Sequence, residues 1–264
     1  MSPDISIHGI DGRVPPGARE FTTGQANRVW SVDAPTPYIL KYYGDPTRAA
    51  NEAAALRLLA EHGVAGPQLL AAEAEATPSW TAQSLVIAQP IPADQFLDEL
   101  AEPLALVHRI PGTHIGRLAG ARRHRRWSDY LHDRLRRYTA VAPDLGPVAR
   151  HLHERIELAD MNVRPVLLHH DLQPGHLLDE SAGGRLLIDW ELAIYGDSRS
   201  DLGRLAVRLG LDDPTPVLAI AEESDPAAEG RLHLYWHIHL LADAALSTDP
   251  SVRERAAARL SKAA

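Results

Sequence analysis

Leu167-Leu168-His169-His170-Asp171-Leu172-Gln173-Pro174-Gly175-His176-Leu177-Leu178 sets a carboxylate, Asp171, in a loop bounded by two apolar runs. A loop held by flanking strands is a good seat for a reactive group, because the scaffold fixes its ends while the side chain stays reachable. At 18 positions beyond Asp171, a second aspartate, Asp189, closes another short run, Arg185-Leu186-Leu187-Ile188, and is followed by Trp190-Glu191. Turn residues Gln173-Pro174-Gly175 and Ser181-Ala182-Gly183-Gly184 separate the runs, so Val166–His169, Leu177-Leu178 and Arg185–Asp189 read as short strands. Two aspartates at strand ends can share a cleft. In phosphoryl transfer such a pair divides its work, one accepting the proton of the attacking hydroxyl and the other holding magnesium against nucleotide phosphates.

The chain has 264 residues, of which 45% are hydrophobic, enough for one large domain or two small lobes. It has no cysteine, which excludes disulfides and thiolate metal sites and suits a reducing cytoplasm. Met1-Ser2-Pro3-Asp4 has neither the basic start nor the apolar run of a secretory signal. The apolar stretch Leu232–Leu246 is interrupted by His233, His237, His239 and Asp243, which a bilayer core disfavours. The expectation is a cytoplasmic protein without a membrane partner. A net charge of −8 speaks against general nucleic-acid binding and suits a cationic substrate. The basic cluster Arg122-Arg123-His124-Arg125-Arg126 reads as a solvated helix face or loop, with an anionic substrate or RNA contact as the functional alternatives.

The first third mixes β-prone runs with turns and contains one helix pattern. Asp45-Pro46 supplies an N-cap and a first-turn proline, Ala49–Ala60 is rich in alanine and leucine, and Gly63 supplies the stop, predicting a helix over 46–62. Before it, Arg28–Val32 and Tyr38–Tyr43 flank Asp33-Ala34-Pro35-Thr36-Pro37 and predict a hairpin. After it, Ser84–Ala88 is a further apolar run ending at Gln89-Pro90-Ile91-Pro92, where prolines remove backbone donors and stiffen the chain. This places the expected boundary between an N-terminal lobe, 1–88, and a C-terminal lobe, 89–264. Helical patterns dominate from Asp94 onward, and the tail from Ser251 predicts a final amphipathic helix.

At these residues the sequence resembles the aminoglycoside phosphotransferase and choline kinase group, which shares a distant fold with protein kinases. The group's pattern is approximately His-Gly-Asp-Leu-His-Pro-Gly-Asn-Leu, then Ile-Asp-Trp-Glu, then Gly-Asp-Pro with a following Asp-Leu. Here the three elements are His169–Leu177, Ile188–Glu191 and Gly196–Leu202. The resemblance implies an α+β, bilobal, protein-kinase-like fold, with a small β-rich nucleotide-binding lobe and a mainly helical lobe for catalysis and substrate. It makes Asp171 the catalytic base, His169 and Asp201 supports of its loop, and Asp189 the metal ligand. In the N-terminal third it makes Gly24 part of a turn over the phosphates, Lys41 the phosphate-contacting lysine and Glu52 its partner. Taken alone, Gly24 reads as a hairpin turn, Lys41 as a solvated strand residue and Glu52 as a solvated helix residue. Leu85–Ile91, with Gln89 and Ile91, occupies the place of the hinge whose backbone binds the adenine edge. His108, ending the group's first C-lobe helix, reads as a packing histidine.

The implied reaction moves the γ-phosphoryl group of ATP or GTP to a hydroxyl of a small molecule. An aminoglycoside or other hydroxylated antibiotic, in a resistance enzyme, is the first expectation. A sugar, choline-like or amino-alcohol acceptor is the alternative, as is a nucleotide-binding protein of weak activity. The chain is expected to act as a monomer or dimer. One position breaks the pattern: His176 stands where the group has asparagine. Magnesium prefers oxygen ligands, so His176 leaves three outcomes open: a single ion on Asp189, use of manganese, or inefficient transfer. A rival reading takes His233 and His237, four apart, as zinc ligands of a hydrolase.

Overall fold

The computed structural model describes residues 10–21, 27–159, 162–180, 184–221 and 226–263. In chain order the elements begin with β1 (Arg19–Phe21), β2 (Asn27–Val32), β3 (Tyr38–Tyr43), α1 (Pro46–Glu61), β4 (Leu69–Glu73), β5 (Ser79–Ser84), β6 (Ala88–Pro90) and α2 (Phe96–His108). They continue with β7 (Gly116–Arg117), α3 (Trp127–Val141), α4 (Gly146–Leu158), β8 (Val166–Leu168), β9 (Leu177–Glu180), β10 (Gly184–Leu187), β11 (Ile194–Gly196), α5 (Ser198–Arg208), α6 (Pro226–Leu246) and α7 (Pro250–Ala263). The chain forms two compact units, each assembled from separate stretches. The first comprises Met1–Glu99, Arg117–Ala121 and Pro174–Ala193, and the second Leu100–Gly116, Arg122–Gln173 and Ile194–Ala264. A mixed α+β architecture results, β-rich in the first unit and mainly helical in the second.

In the first unit an antiparallel sheet runs in the order β1-β2-β3-β5-β4. The expected hairpin forms, with Val32 opposite Tyr38 and Asn27 opposite Tyr43. Alternation of side chains along each strand decides its two faces. Trp30, Val32, Tyr38, Leu40, Trp80 and Ala82 make one apolar cluster. On the other face Lys41 stands opposite Thr81. Helix α1 follows the sequence signals closely: Asp45 caps it by accepting from Thr47 N at 2.9 Å, Pro46 opens it, and Gly63 at φ +68° lets the chain leave.

The run Ser84–Ala88 is not one strand. β5 ends at Ser84 and β6 begins at Ala88, in different sheets. Strand β5 starts earlier than hydropathy suggests because its polar residues Ser79, Thr81 and Gln83 are buried and hydrogen-bonded, Thr81 to Tyr43 at 2.8 Å and to Gln83 at 3.1 Å. Burial of a polar side chain is tolerated when such partners exist, and residue type alone does not reveal them. β6 is the edge of a second antiparallel sheet, β10-β9-β6, in which Gln89 pairs with Asp179.

In the second unit β8 and β11 pair antiparallel, Leu168 with Ile194, so that the loop after β8 is held at its base. Helices α5 and α6 approach closely because Gly203 carries no side chain: a Cβ there would meet Trp236 N and Tyr235 Cβ at 3.0 Å. The histidine-interrupted apolar run forms most of α6, with Leu232, Leu234, Tyr235, Trp236, Ile238, Leu240 and Leu241 buried. Among the described residues no helix is long and apolar enough to cross a membrane. Arg122–Arg126 lie in the bends before α3, where Arg122 pairs with Asp133 and Arg126 with Asp129.

Candidate active site

The first unit assembles a chain of charges around Lys41. Its Nζ lies 2.8 Å from Glu52 Oε1 and 3.0 Å from Asp189 Oδ1, with the lysine side chain 12% exposed and Glu52 fully buried. Burial opposes the lysine's charged form, but Glu52 and then Asp189 outweigh it and raise its pKa. Tyr43 OH donates to Glu52 Oε2, fixing the carboxylate from its other side. Asp189 follows β10 in the left-handed conformation, φ +69°, a region where aspartate is better tolerated than most residues. This turn aims its Oδ1 at Lys41 and leaves Oδ2 3.4 Å from His176 Nε2. His176 is itself placed by its backbone carbonyl, which accepts from Ile188 N at 2.9 Å.

A neighbouring network ties the segment after Asp189 to α1. Buried Asn51 donates from Nδ2 to the carbonyls of Glu191 (3.0 Å) and Ala193 (2.8 Å), and its Oδ1 accepts from Leu118 N (2.9 Å) and Ala119 N (3.3 Å). Glu191, also buried, accepts from Arg48 Nη1 at 2.7 Å and from Asn27 Nδ2. Burial, and then the neighbouring Asp189, push its pKa up.

The second unit builds its part around Asp201, which sits in the first turn of α5. Asp197 caps that helix, its Oδ1 accepting from Arg199 N at 3.0 Å while Tyr235 OH and Arg231 Nε hold Oδ2 at 2.8 and 3.1 Å. Asp201 is fully buried and accepts from His169 N (2.9 Å) and His170 N (2.6 Å), so one carboxylate holds two successive backbone donors of the loop. His108 Nε2 lies 3.1 Å from the same group. Burial alone would raise the pKa of Asp201, but the His108 hydrogen bond and surrounding histidines lower it. His169 Nδ1 accepts from Asp171 N at 3.2 Å. The Asp171 carboxylate is engaged by Arg208, whose Nη2 and Nε lie 2.7 and 3.1 Å from Oδ1.

Lys41, Glu52, Asp189 and His176 are therefore brought together within the first unit, and Asp171, His169 and Asp201 within the second. Gly24 lies outside the described residues. Gln89 is exposed on β6 and Ile91 is buried just beyond it. His108 is more than a packing residue, since its ring meets Asp201. Sequence reading missed Asn51 on α1 and Arg208 on α5 as participants, because the distant partners of a helix residue leave no signal along the chain. Glu191, Asp197 and Asp243 are polar groups with internal partners, Asp243 meeting Arg204 at 2.6 Å. The zinc reading finds no support: among the described residues neither His233 nor His237 falls in a group of three potential metal ligands.

The family model described as Phosphotransferase enzyme family matches residues 17–235. No curated protein matches the chain. Among solved structures, a thermostable mutant of aminoglycoside phosphotransferase APH(4)-Ia, in ternary complex with AMP-PNP and hygromycin B, is similar at TM-score 0.71 and 16% identity, over 94% of this chain and 95% of that one. A structure from Haemophilus somnus 129PT assigned as a fructosamine-3-kinase is similar at TM-score 0.71 and 14% identity, over 93% and 90%. A choline/ethanolamine kinase family protein from Mesorhizobium loti is similar at TM-score 0.64 and 19% identity, over 96% and 88%. These likenesses establish the fold as protein-kinase-like.

Proposed function

Because the chain belongs to the phosphotransferase enzyme family and is a small-molecule kinase, we propose that it transfers the γ-phosphoryl group of ATP or GTP to an acceptor hydroxyl, with Asp171 as base. The observation that carries this reading is the Lys41–Glu52–Asp189 ion triad, a buried arrangement that keeps an ammonium charged where phosphate oxygens would need it. Glu52 positions Lys41 for the nucleotide phosphates, and Tyr43 in turn positions Glu52. The outer backbone groups of edge strand β6, at Gln89 and toward Ile91, serve the adenine edge.

The residues fit a divalent cation. Asp189 Oδ2 and His176 Nε2, 3.4 Å apart, present one oxygen and one nitrogen donor side by side. That donor set suits manganese as well as magnesium, since imidazole is a better ligand for the former. Bound there, the cation would neutralise charge on the nucleotide phosphates. In the second unit Asp201 holds the backbone at His169 and His170, His169 holds Asp171 N, and Arg208 orients the Asp171 carboxylate. Asp171 then takes the hydroxyl proton as the acceptor oxygen attacks phosphorus. Positioning supplies most of the acceleration, because phosphoryl transfer has a loose transition state.

The acceptor is a small hydroxylated molecule. Likeness to a hygromycin-bound phosphotransferase supports an antibiotic acceptor and a resistance role, while likeness to fructosamine and choline/ethanolamine kinases supports a metabolic one. The test is turnover by the purified chain against antibiotics and simple metabolites, with ATP and GTP, in magnesium and in manganese. Acceptor-dependent ADP or GDP release is expected. Nucleotide binding without turnover in either metal would replace this reading by that of a nucleotide-binding protein.

A further inference from the structure

We propose that Arg134 recognises an oxyanion, a carboxylate or a phosphate, carried by the acceptor molecule. The inference rests on the function proposed above and names its substrate class. Arg134 lies on α3, on the face shared with Tyr130 and Tyr138, and these three line a recess of about 10 Å³ in the second unit with His170, Ser200 and His239. Its Nε donates to Tyr138 OH at 3.0 Å, and its guanidinium carbon stands 5.0 Å from the centre of the Tyr138 ring. The plane of the fork is thereby fixed, as bidentate recognition of an oxyanion requires.

The neighbouring carboxylates already have partners. Arg208 pairs with Asp171 and Arg204 with Asp243, while His108 and two backbone amides occupy Asp201. Asp133, next to Arg134 in sequence, faces Arg122 at 3.3 Å and Arg136 at 3.7 Å. Among the described residues Arg134 makes no ion pair with a carboxylate. The two histidines of the recess add no charge at neutral pH. Burial, with Arg134 and Arg204 contributing against the attraction of Asp201, drives His170 down to about 3. Burial, followed by His170 and Arg204, holds His239 well below its usual range. Arg134 thus stands near the loop that carries Asp171 without a carboxylate partner of its own among the described residues. A mostly buried guanidinium without a counterion is costly, and an anionic ligand removes that cost. An ammonium group on the acceptor would meet repulsion instead. The recess admits a single oxygen-sized group, so an acceptor presents only a terminal oxygen to it.

A matched three-carbon series tests this: glycerate, glycerol phosphate, glycerol and serinol, carrying a carboxylate, a phosphate, no charge and an amine. Each is assayed as acceptor with the full chain, and binding of glycerate and of glycerol phosphate is also measured by calorimetry in the presence of AMP-PNP. One of the two anionic acceptors should exceed glycerol in kcat/KM by about tenfold or more, and which one does so identifies the oxyanion. Arg134→Met should reduce that acceptor to the level of glycerol through KM, with the nucleotide KM within about twofold, and Arg134→Lys should restore part of the difference. Preference for serinol, or an equal loss on all four acceptors in Arg134→Met, would overturn the proposal. If no acceptor turns over, the proposed function falls, and the calorimetric arm judges Arg134 separately: binding of glycerate or glycerol phosphate abolished by Arg134→Met supports it, and absence of binding of both to the unmodified chain overturns it.

Discussion

Lys41 is the residue from which the chemistry is best understood. A lysine on a strand is ordinarily solvated, yet here it is enclosed between two carboxylates that keep it charged. Removing the charge while retaining length, as Lys41→Met, should weaken nucleotide binding and raise the nucleotide KM by about tenfold or more, measurable by calorimetry and initial rates. Asp171→Ala should lower kcat by about 10²- to 10⁴-fold with nucleotide affinity preserved, the signature of a proton-accepting group. Asp189→Ala should lose the metal-dependent part of nucleotide binding. His176→Asn replaces a nitrogen donor by an amide oxygen and should raise the rate in magnesium relative to manganese. An unchanged ratio of the two rates would remove His176 from the cation site.

Elements owe their placement to contacts that do not follow hydropathy. Asn51 on α1 satisfies four backbone groups of two other segments, Glu191 and Ala193 on one side and Leu118 and Ala119 on the other. Asn51→Ala would leave those buried groups short of partners and should cost on the order of 2–4 kcal/mol in urea unfolding, a larger loss than a surface substitution causes. The helix bearing Asn51 was legible in the sequence, bounded by Asp45, Pro46 and Gly63, because capping is chemistry between near neighbours. Strand β5 was not legible: its buried Ser79, Thr81 and Gln83 look solvent-seeking, and only the tyrosine across the sheet makes their burial affordable.

At the scale of the whole molecule, electrostatics run against the composition. A net charge of −8 suits a cationic partner, whereas near the loop carrying Asp171 lie Arg134, Arg204 and Arg208, of which Arg204 and Arg208 pair with Asp243 and Asp171 and Arg134 bonds to Tyr138. The same burial makes stability depend on pH. His170 has a folded pKa of about 3 against a usual 6.5. Between those values the unfolded chain binds a proton that the native chain does not, so stability is fully present above about pH 6.5 and falls as the medium is acidified toward pH 3. His239, shifted the same way, adds to the slope. The melting midpoint should therefore drop between pH 7 and pH 5. His170→Asn, a residue that tolerates the positive φ found there, should flatten that dependence, and an equally steep curve in the variant would refute the assignment.

By itself the sequence determined the family, the fold class, the α1 helix and the hairpin, because these rest on local patterns and on motifs in order; Asp171, Asp189, Lys41 and Glu52 stand as expectations that the resemblance to the family implies. The tertiary structure decided what surrounds them. It packs Pro174–Ala193 with the N-terminal strands, although the expected boundary was a single cut after residue 88. It makes His108 a partner of Asp201, Arg208 a partner of Asp171, and leaves Arg134 with a charge to be answered. The His108–Asp201 and Asp171–Arg208 contacts join residues 93 and 37 positions apart, and an interaction energy that depends on distance through space has no counterpart in distance along the chain.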